Sequence, residues 1–363
     1  MPAPLQPTKI WRSDSPFRLE HGDRLPELEI AYETWGTLSP KHDNVLVVLH
    51  ALTGSSHAFA SADSSEPGWW EGLLGSHSAI DPERYHVICA NLLGGCYGST
   101  GPRSVDPRSG ERFGLAFPQI TLRDVIEAYR VFLKGLGIDA PVSLIGGSMG
   151  GMLVLQWAVD HPDEIRDAIA LATPARSDAF AIALRSVQRD AILSDDRFQN
   201  GDYDETSFPA KGLALARKIA MITYRTPIEF NERFGRDARD SRPHFSDGLF
   251  EVQSYLNHQG KKFVDRFDPS TYLYFSRAMD LFDLAEGHDS LDAAVARIKA
   301  RVLLLAMDSD LLVPRHQMEE IHGAMQRGGV DTRLDVVHTK KGHDAFLAEQ
   351  KQILGLIDAF LGE

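Results

Sequence analysis

Residues 141–160, PVSLIGGSMGGMLVLQWAVD, limit what this chain can fold into more than any other stretch. Val142 to Ile145 is a short, mostly apolar run suited to a buried strand. From Met152 onward, Leu153, Leu155, Trp157 and Ala158 continue without a breaker, as a largely buried helix does. Between them, Gly146, Gly147, Ser148, Met149 and Gly150 satisfy G-x-S-x-G, and Gly151 extends it. A strand, a glycine-flanked serine and a helix in succession describe a nucleophile elbow. Such a turn strains the serine's backbone and needs small neighbours. It exposes the Ser148 hydroxyl and puts the Met149 backbone N–H at a helix N-terminus, where an oxyanion is stabilised. The alternative is a glycine-rich turn that binds phosphate or merely packs. The motif alone does not choose, but the strand and helix in register favour the catalytic reading.

The remaining chain supplies a sheet around that turn. Phe17–Glu20 and Leu28–Glu33 read as half-buried antiparallel strands that open it. Val45–Leu49 is continuously apolar, which suits a central strand covered on both faces. It runs into His50-Ala51-Leu52-Thr53-Gly54, and in a serine-elbow protein the loop after this strand gives the second oxyanion N–H, here assigned to Leu52. Another buried strand, 85–90, leads into the glycine-rich loop 91–102 at the same carboxyl end of the sheet, where ligand crevices form. A helix over 120–136 stops at Gly137. After a strand at 168–172 the pattern becomes helical, with segments at 179–193, 210–223, 227–234, 249–263 and 269–282. This strand-poor stretch reads as a helical lid inserted after the elbow. The sheet resumes at 302–307, followed by a helix at 317–325, a last strand at 333–337 and a closing helix at 346–361. The expected division is a core of 1–173 and 293–363 with a lid of 174–292.

A chain of 363 residues has room for such a core and its insertion. A net charge of −13 argues against a nucleic-acid or anionic-membrane surface, which needs a basic face. No apolar span approaches the length of about 18 residues that a membrane helix needs. The start, MPAPLQPTKIWRSDS, lacks the apolar core of a signal peptide, so a cytoplasmic protein is expected. Two cysteines, Cys89 and Cys96, are too few for a disulfide framework. Cys96 reads as a packed side chain rather than a nucleophile, and no metal cluster is evident.

A serine hydroxyl needs a base, and the base needs a carboxylate to orient it. In elbow enzymes the chain order is serine, acid, histidine. Asp310 follows the strand 302–307, and His343 lies on the next carboxyl-end loop, so Ser148, Asp310 and His343 meet at one edge of the crevice. Asp308 is a rival acid and His50 a rival base. These residues describe an α/β-hydrolase fold, a mostly parallel sheet with helices on both faces, performing acyl transfer through an acyl-Ser148 intermediate. They leave open whether water, an alcohol or an amine accepts the acyl group.

Several longer stretches narrow this. HALTG at 50–54, PGWWEGLLG at 67–75, YHVICANLLGGCYGSTGP at 85–102, IGGSMGGM at 145–152, GLALARKIAMITYR at 212–225, residues 250–284 of the lid and GHDAFL at 342–347 together resemble the homoserine O-acyltransferases of methionine biosynthesis, specifically the acetyltransferase branch. The resemblance implies that Ser148 takes an acetyl group from acetyl-CoA, a co-substrate rather than a bound cofactor, and passes it to the hydroxyl of L-homoserine. It implies that Arg217 binds the amino acid's carboxylate and Asp344 its ammonium, with Tyr224 and Thr53 lining the pocket. Succinyl-using relatives carry an arginine two positions after the triad aspartate; here that position is the uncharged Leu312, which favours acetyl. Leu311 and Val313 depart from the SDWLFP pattern of the acetyltransferases. Succinyl transfer, acylation of serine, plain esterase or thioesterase activity and a non-catalytic binding protein are the competing readings. The resemblance also implies a homodimer formed through the helical lid.

Overall fold

Val45, Val47 and Leu49 pack on one side of the sheet and Leu46 and Val48 on the other, and all five are buried, which is why this strand is apolar throughout. The computed structural model describes residues 9–13, 15–60, 66–75, 78–239 and 250–362. Residues 1–8 of the expected core and Leu249, the expected start of one lid helix, lie outside them. In chain order the first strands are β1 (Lys9–Ser13), β2 (Phe17–Arg18), β3 (Arg24–Leu25), β4 (Leu28–Trp35), β5 (Val45–Leu49) and β6 (His86–Ala90). The elbow region follows as α1 (Leu122–Gly135), β7 (Val142–Gly147), α2 (Met149–Asp160) and β8 (Ile165–Leu171). Next come α3 (Ala179–Leu193), α4 (Ala210–Tyr224), α5 (Pro227–Phe234), α6 (Glu251–Val264) and α7 (Pro269–Asp280). The chain closes with α8 (Leu291–Val295), β9 (Arg301–Met307), α9 (Arg315–Arg327), β10 (Thr332–Val337), α10 (Ala345–Ala348) and α11 (Gln350–Gly362).

The main sheet has the order β1-β4-β6-β5-β7-β8-β9-β10. From β6 to β10 neighbouring strands are parallel, while β4 is antiparallel to both β1 and β6. The order reverses between β5 and β7, so the loops leaving these two strands diverge and open a crevice at the switch point. Buried residues of α1, α2 and α9 fill one face, and those of α11 with Phe59 and Trp70 fill the other.

Three expectations are corrected. Phe17–Glu20 does not enter the main sheet: Phe17 and Arg18 pair with Leu25 and Arg24 in a separate two-stranded ribbon. The strand that joins β4 instead is β1, whose alternation is hidden because its side chains are exposed or half-buried at the sheet's edge. The closing helix is two helices broken at Glu349, whose carboxylate accepts from Thr339 Oγ1 (3.1 Å) and pairs with Lys341 (3.3 Å).

Between β8 and β9 lies the helical stretch α3–α7. Arg185 and Arg189 of α3 both reach Asp280 at the end of α7 at 2.6 Å, and all three side chains are buried. The stretch is tied to the core above the crevice. Arg266, between α6 and α7, donates from Nη1 to the Thr53 carbonyl (2.8 Å), while Tyr97 donates its hydroxyl to the Arg266 carbonyl (2.6 Å).

The elbow sits where β7, α2 and the end of β5 come closest. A Cβ on Gly150 would lie 2.0 Å from the Leu49 carbonyl oxygen, and one on Gly146 would lie 2.5 Å from the Gly150 backbone. Because both obstacles are main chain, no rotamer change relieves them. Gly150→Ala is therefore expected to destabilise the fold by about 3 kcal/mol, measured as a lower denaturant midpoint. An unchanged midpoint would mean that the elbow is not held by this approach.

Candidate active site

Ser148 is the residue before α2, with φ 55° and ψ −120°, in the left-handed region that non-glycine residues avoid. Two main-chain bonds hold it there. Its N–H donates to the Leu171 carbonyl at the end of β8 (2.9 Å), and its carbonyl accepts from Met152 (3.0 Å). Its hydroxyl is 2.9 Å from His343 Nε2.

His343 stands on a short turn after β10, where Gly342 takes φ 65°. Its Nδ1 is 2.6 Å from Asp310 Oδ2, so Nδ1 carries the proton and Nε2 is free to accept from Ser148. Asp310 is fixed in turn, because its other oxygen accepts from the N–H groups of Leu312 (2.8 Å) and Val313 (2.9 Å). All three side chains are buried. Burial opposes a charge on His343, but the Asp310 carboxylate, with Asp344 nearby, outweighs it and raises the imidazole above its ordinary range.

The rivals are engaged elsewhere. Asp308 accepts from His338 Nδ1 (2.9 Å) and from the Thr339 N–H (2.9 Å). His50 donates from Nδ1 to the Ala51 carbonyl (2.8 Å) and accepts at Nε2 from the Leu92 N–H (3.2 Å). Burial pushes it down to about 4, so it is a neutral brace for the loop after β5. Burial likewise pushes the Cys96 thiol up to about 12, which leaves it without thiolate character.

Leu52 lies in the loop after β5, and Met149 opens α2. Neither backbone N–H donates a hydrogen bond among the described residues. These are two unclaimed donors, one on the loop after β5 and one on the first turn of α2, that flank the switch point.

Of the residues assigned to the amino acid, Tyr224, Arg217 and Asp344 gather beside His343. The Tyr224 ring centroid is 5.8 Å from that of His343. The Arg217 guanidinium lies over the rings of Tyr224 (5.7 Å) and Phe263 (5.0 Å), and it makes no ion pair with a carboxylate among the described residues. Asp344 directly follows His343 and pairs with Arg225 at 3.2 Å. Burial pushes its carboxyl up, against the pull of Arg225, Arg217 and His343. Thr53 contributes its carbonyl to Arg266. Leu312 is half-buried, and its main chain supports Asp310.

Sequence reading missed several supports. Arg225 and Arg266 look like solvated arginines along the chain. Glu33 and His57, 24 positions apart, form a buried pair at 2.9 Å beneath the loop after β5. The His57 ring also bonds the Glu66 carbonyl (3.0 Å), and Ser56 of the same loop donates to Glu33 (3.1 Å).

A serine, histidine and aspartate linked in this order on a mostly parallel sheet define a serine-nucleophile enzyme of the α/β-hydrolase class, and the family model for the alpha/beta hydrolase fold matches residues 44–349. A homoserine O-acetyltransferase of Moorella thermoacetica is 42% identical over 98% of this chain and 96% of its own length. The chain therefore belongs to the homoserine O-acetyltransferase family. Among solved structures, a homoserine O-acetyltransferase from Bacillus anthracis superposes with a TM-score of 0.91 at 27% identity, covering 99% of both chains. Esterase E22 superposes with a TM-score of 0.90 at 27% identity, covering 98% of this chain and 99% of its own.

As the base assigned to Ser148, His343 would act in its neutral form. Because its folded pKa is raised, that form appears at higher pH than for an ordinary histidine. The acid limb of the kcat/KM profile is expected to have its midpoint above 6.5. A midpoint below that value would contradict the buried Asp310–His343 pair.

Proposed function

We propose that this chain transfers an acetyl group from acetyl-CoA to the hydroxyl of L-homoserine in methionine biosynthesis, through an acetyl-Ser148 intermediate. The observation that carries the reading is the hydrogen-bonded chain from Asp310 through His343 to Ser148, with an unpaired arginine and an aspartate beside it. His343 Nε2 takes the Ser148 proton as Oγ attacks the thioester carbon. The N–H groups of Leu52 and Met149 receive the oxyanion. Collapse breaks the C–S bond, and the CoA thiolate leaves with the proton from His343. The homoserine hydroxyl then gives its proton to His343 and attacks the acetyl carbon. Ser148 departs and recovers the proton, so each half-reaction returns the triad to its starting state.

Arg217 receives the acceptor's carboxylate and Asp344 its ammonium, with Tyr224 and Thr53 at the pocket's edge. The aromatic rings around Arg217 exclude water from that ion pair and strengthen it. At Leu312 an apolar side chain offers no partner to a second carboxylate, which suits an acetyl donor over a succinyl one. The likeness to homoserine O-acetyltransferases supports both assignments. No permanently bound cofactor enters this scheme, and a cytoplasmic location suits its substrates.

Esterase E22 supports a second reading, in which water takes the acyl group. Following CoA release separates the two. With acetyl-CoA, release is expected to depend on L-homoserine and to disappear in Ser148→Ala. Succinyl-CoA and L-serine are expected to be poorer by at least about tenfold each. Equal release without any acceptor would make the protein a hydrolase.

The lid also presents apolar side chains outward. Phe180 and Val187 of α3, and Leu215 and Ile222 of α4, are each about half exposed and spaced seven apart, so each pair shares a helix face. These faces suit a homodimer contact. Phe180→Asp with Leu215→Asp is expected to halve the mass in analytical ultracentrifugation, and a wild type that sediments as a monomer would refute the dimer.

A further inference from the structure

Asp344 does not stand alone beside His343. Arg225, the first residue after α4, reaches two carboxylates with one nitrogen each: Nη1 to Glu229 Oε1 on α5 and Nη2 to Asp344 Oδ2 at 3.2 Å. An arginine given a free carboxylate usually grips it with both arms. Here the fork is divided, and the division leaves Arg225 Nε and Glu229 Oε2 buried with no hydrogen-bond partner among the described residues. Buried polar atoms are rarely left so in a purely structural ion pair.

The three groups are pinned to the turn that carries the catalytic histidine. Thr226 caps α5 by accepting from the Glu229 N–H (3.0 Å), and its hydroxyl donates to the Lys340 carbonyl. A Cβ on Gly342 would come within 2.9 Å of the Tyr224 carbonyl. The start of α5 and the His343 turn are therefore packed directly together. The side chains of Arg225, Glu229 and Asp344 are 20%, 18% and 18% exposed, so their charges act on one another with little screening.

The charge balance follows. Asp344 with Arg225 alone would be neutral and would hold a cation poorly. Adding Glu229 gives two carboxylates to one guanidinium, a net charge of −1 that matches one ammonium. We infer that Glu229 sets the affinity of the acceptor-amine site: by holding one arm of Arg225 it keeps that arginine from neutralising Asp344. Glu229 is a positioning residue, since it acts through Arg225. The inference rests on the reading that Asp344 receives the acceptor's ammonium.

The test compares two acceptors, L-homoserine and 4-hydroxybutanoate, which is the same molecule without its amine. The readout is the ratio of their kcat/KM values. Glu229→Gln, which keeps the side chain's shape and removes its charge, is expected to lower that ratio at least about tenfold, the scale of one unit charge a few ångströms from a cation at a partly buried site. The loss should appear in KM for homoserine. Glu229→Asp, which keeps the charge, should hold the ratio within about threefold of wild type. A merely structural role would lower both acceptors together and leave the ratio unchanged, and that result overturns the inference. A wild-type enzyme that does not distinguish the two acceptors would instead remove the ammonium reading beneath it.

Discussion

The near-contact of the β7–α2 turn with the carbonyl of Leu49 fixes where Ser148 stands. A turn this tight has room for no Cβ at Gly150, and it drives Ser148 to positive φ. Backbone strain of this kind costs about 1–3 kcal/mol and persists only where the surroundings hold it. Here the holding comes from both sides: β5 packs against the glycines, and the end of β8 accepts the Ser148 N–H. At the switch point between β5 and β7, the loop after β5 and the first turn of α2 each carry a free N–H group. The position of Ser148, the proposed nucleophile, is thus a consequence of one packing constraint.

The other half of the site is electrostatic. Asp310 is buried, yet two N–H groups and the His343 ring satisfy it, so its charge is held without water. It raises His343 and fixes its tautomer. Around this pair the helical stretch places Arg217 and Arg225 and the His343 turn places Asp344, groups suited to the two ends of a zwitterion. A plain esterase needs only the triad and the oxyanion donors. The charged groups beside His343 are what the proposed amino-acid acceptor would need, and they come from α4, the start of α5 and the His343 turn. The tie from Arg266 to the Thr53 carbonyl joins the same helical stretch to the loop after β5, so the proposed acceptor and oxyanion sites share a framework.

Much of this was legible along the chain, for physical reasons. Strands buried on both faces, such as 45–49, announce themselves by continuous apolarity, and the elbow does so by its glycines. Ser148, Asp310 and His343 could be ordered because the strands before them fix which edge their loops occupy. Strand β1 was not legible, because an edge strand with exposed side chains carries little pattern. Phe17 was apolar for a different reason, packing under a ribbon outside the main sheet. At the site, Arg217 and Asp344 emerged only through resemblance, since a lone charge on a helix or loop looks solvated. The Arg225–Glu229 spacing is that of an ordinary surface pair on a helix. Only the fold shows that the arginine's second arm ends on Asp344. The Glu33–His57 pair joins a strand to a loop and has no local signature.

The most direct test of the account is to look for its covalent intermediate. Enzyme mixed with acetyl-CoA alone, quenched in acid and digested, should carry an acetyl group on Ser148 by mass spectrometry. The label should vanish when L-homoserine is added before the quench. It should be absent from His343→Ala. If CoA is released only when both substrates are present, and Ser148 is never acetylated, the transfer is direct, and the role given to the elbow serine is contradicted.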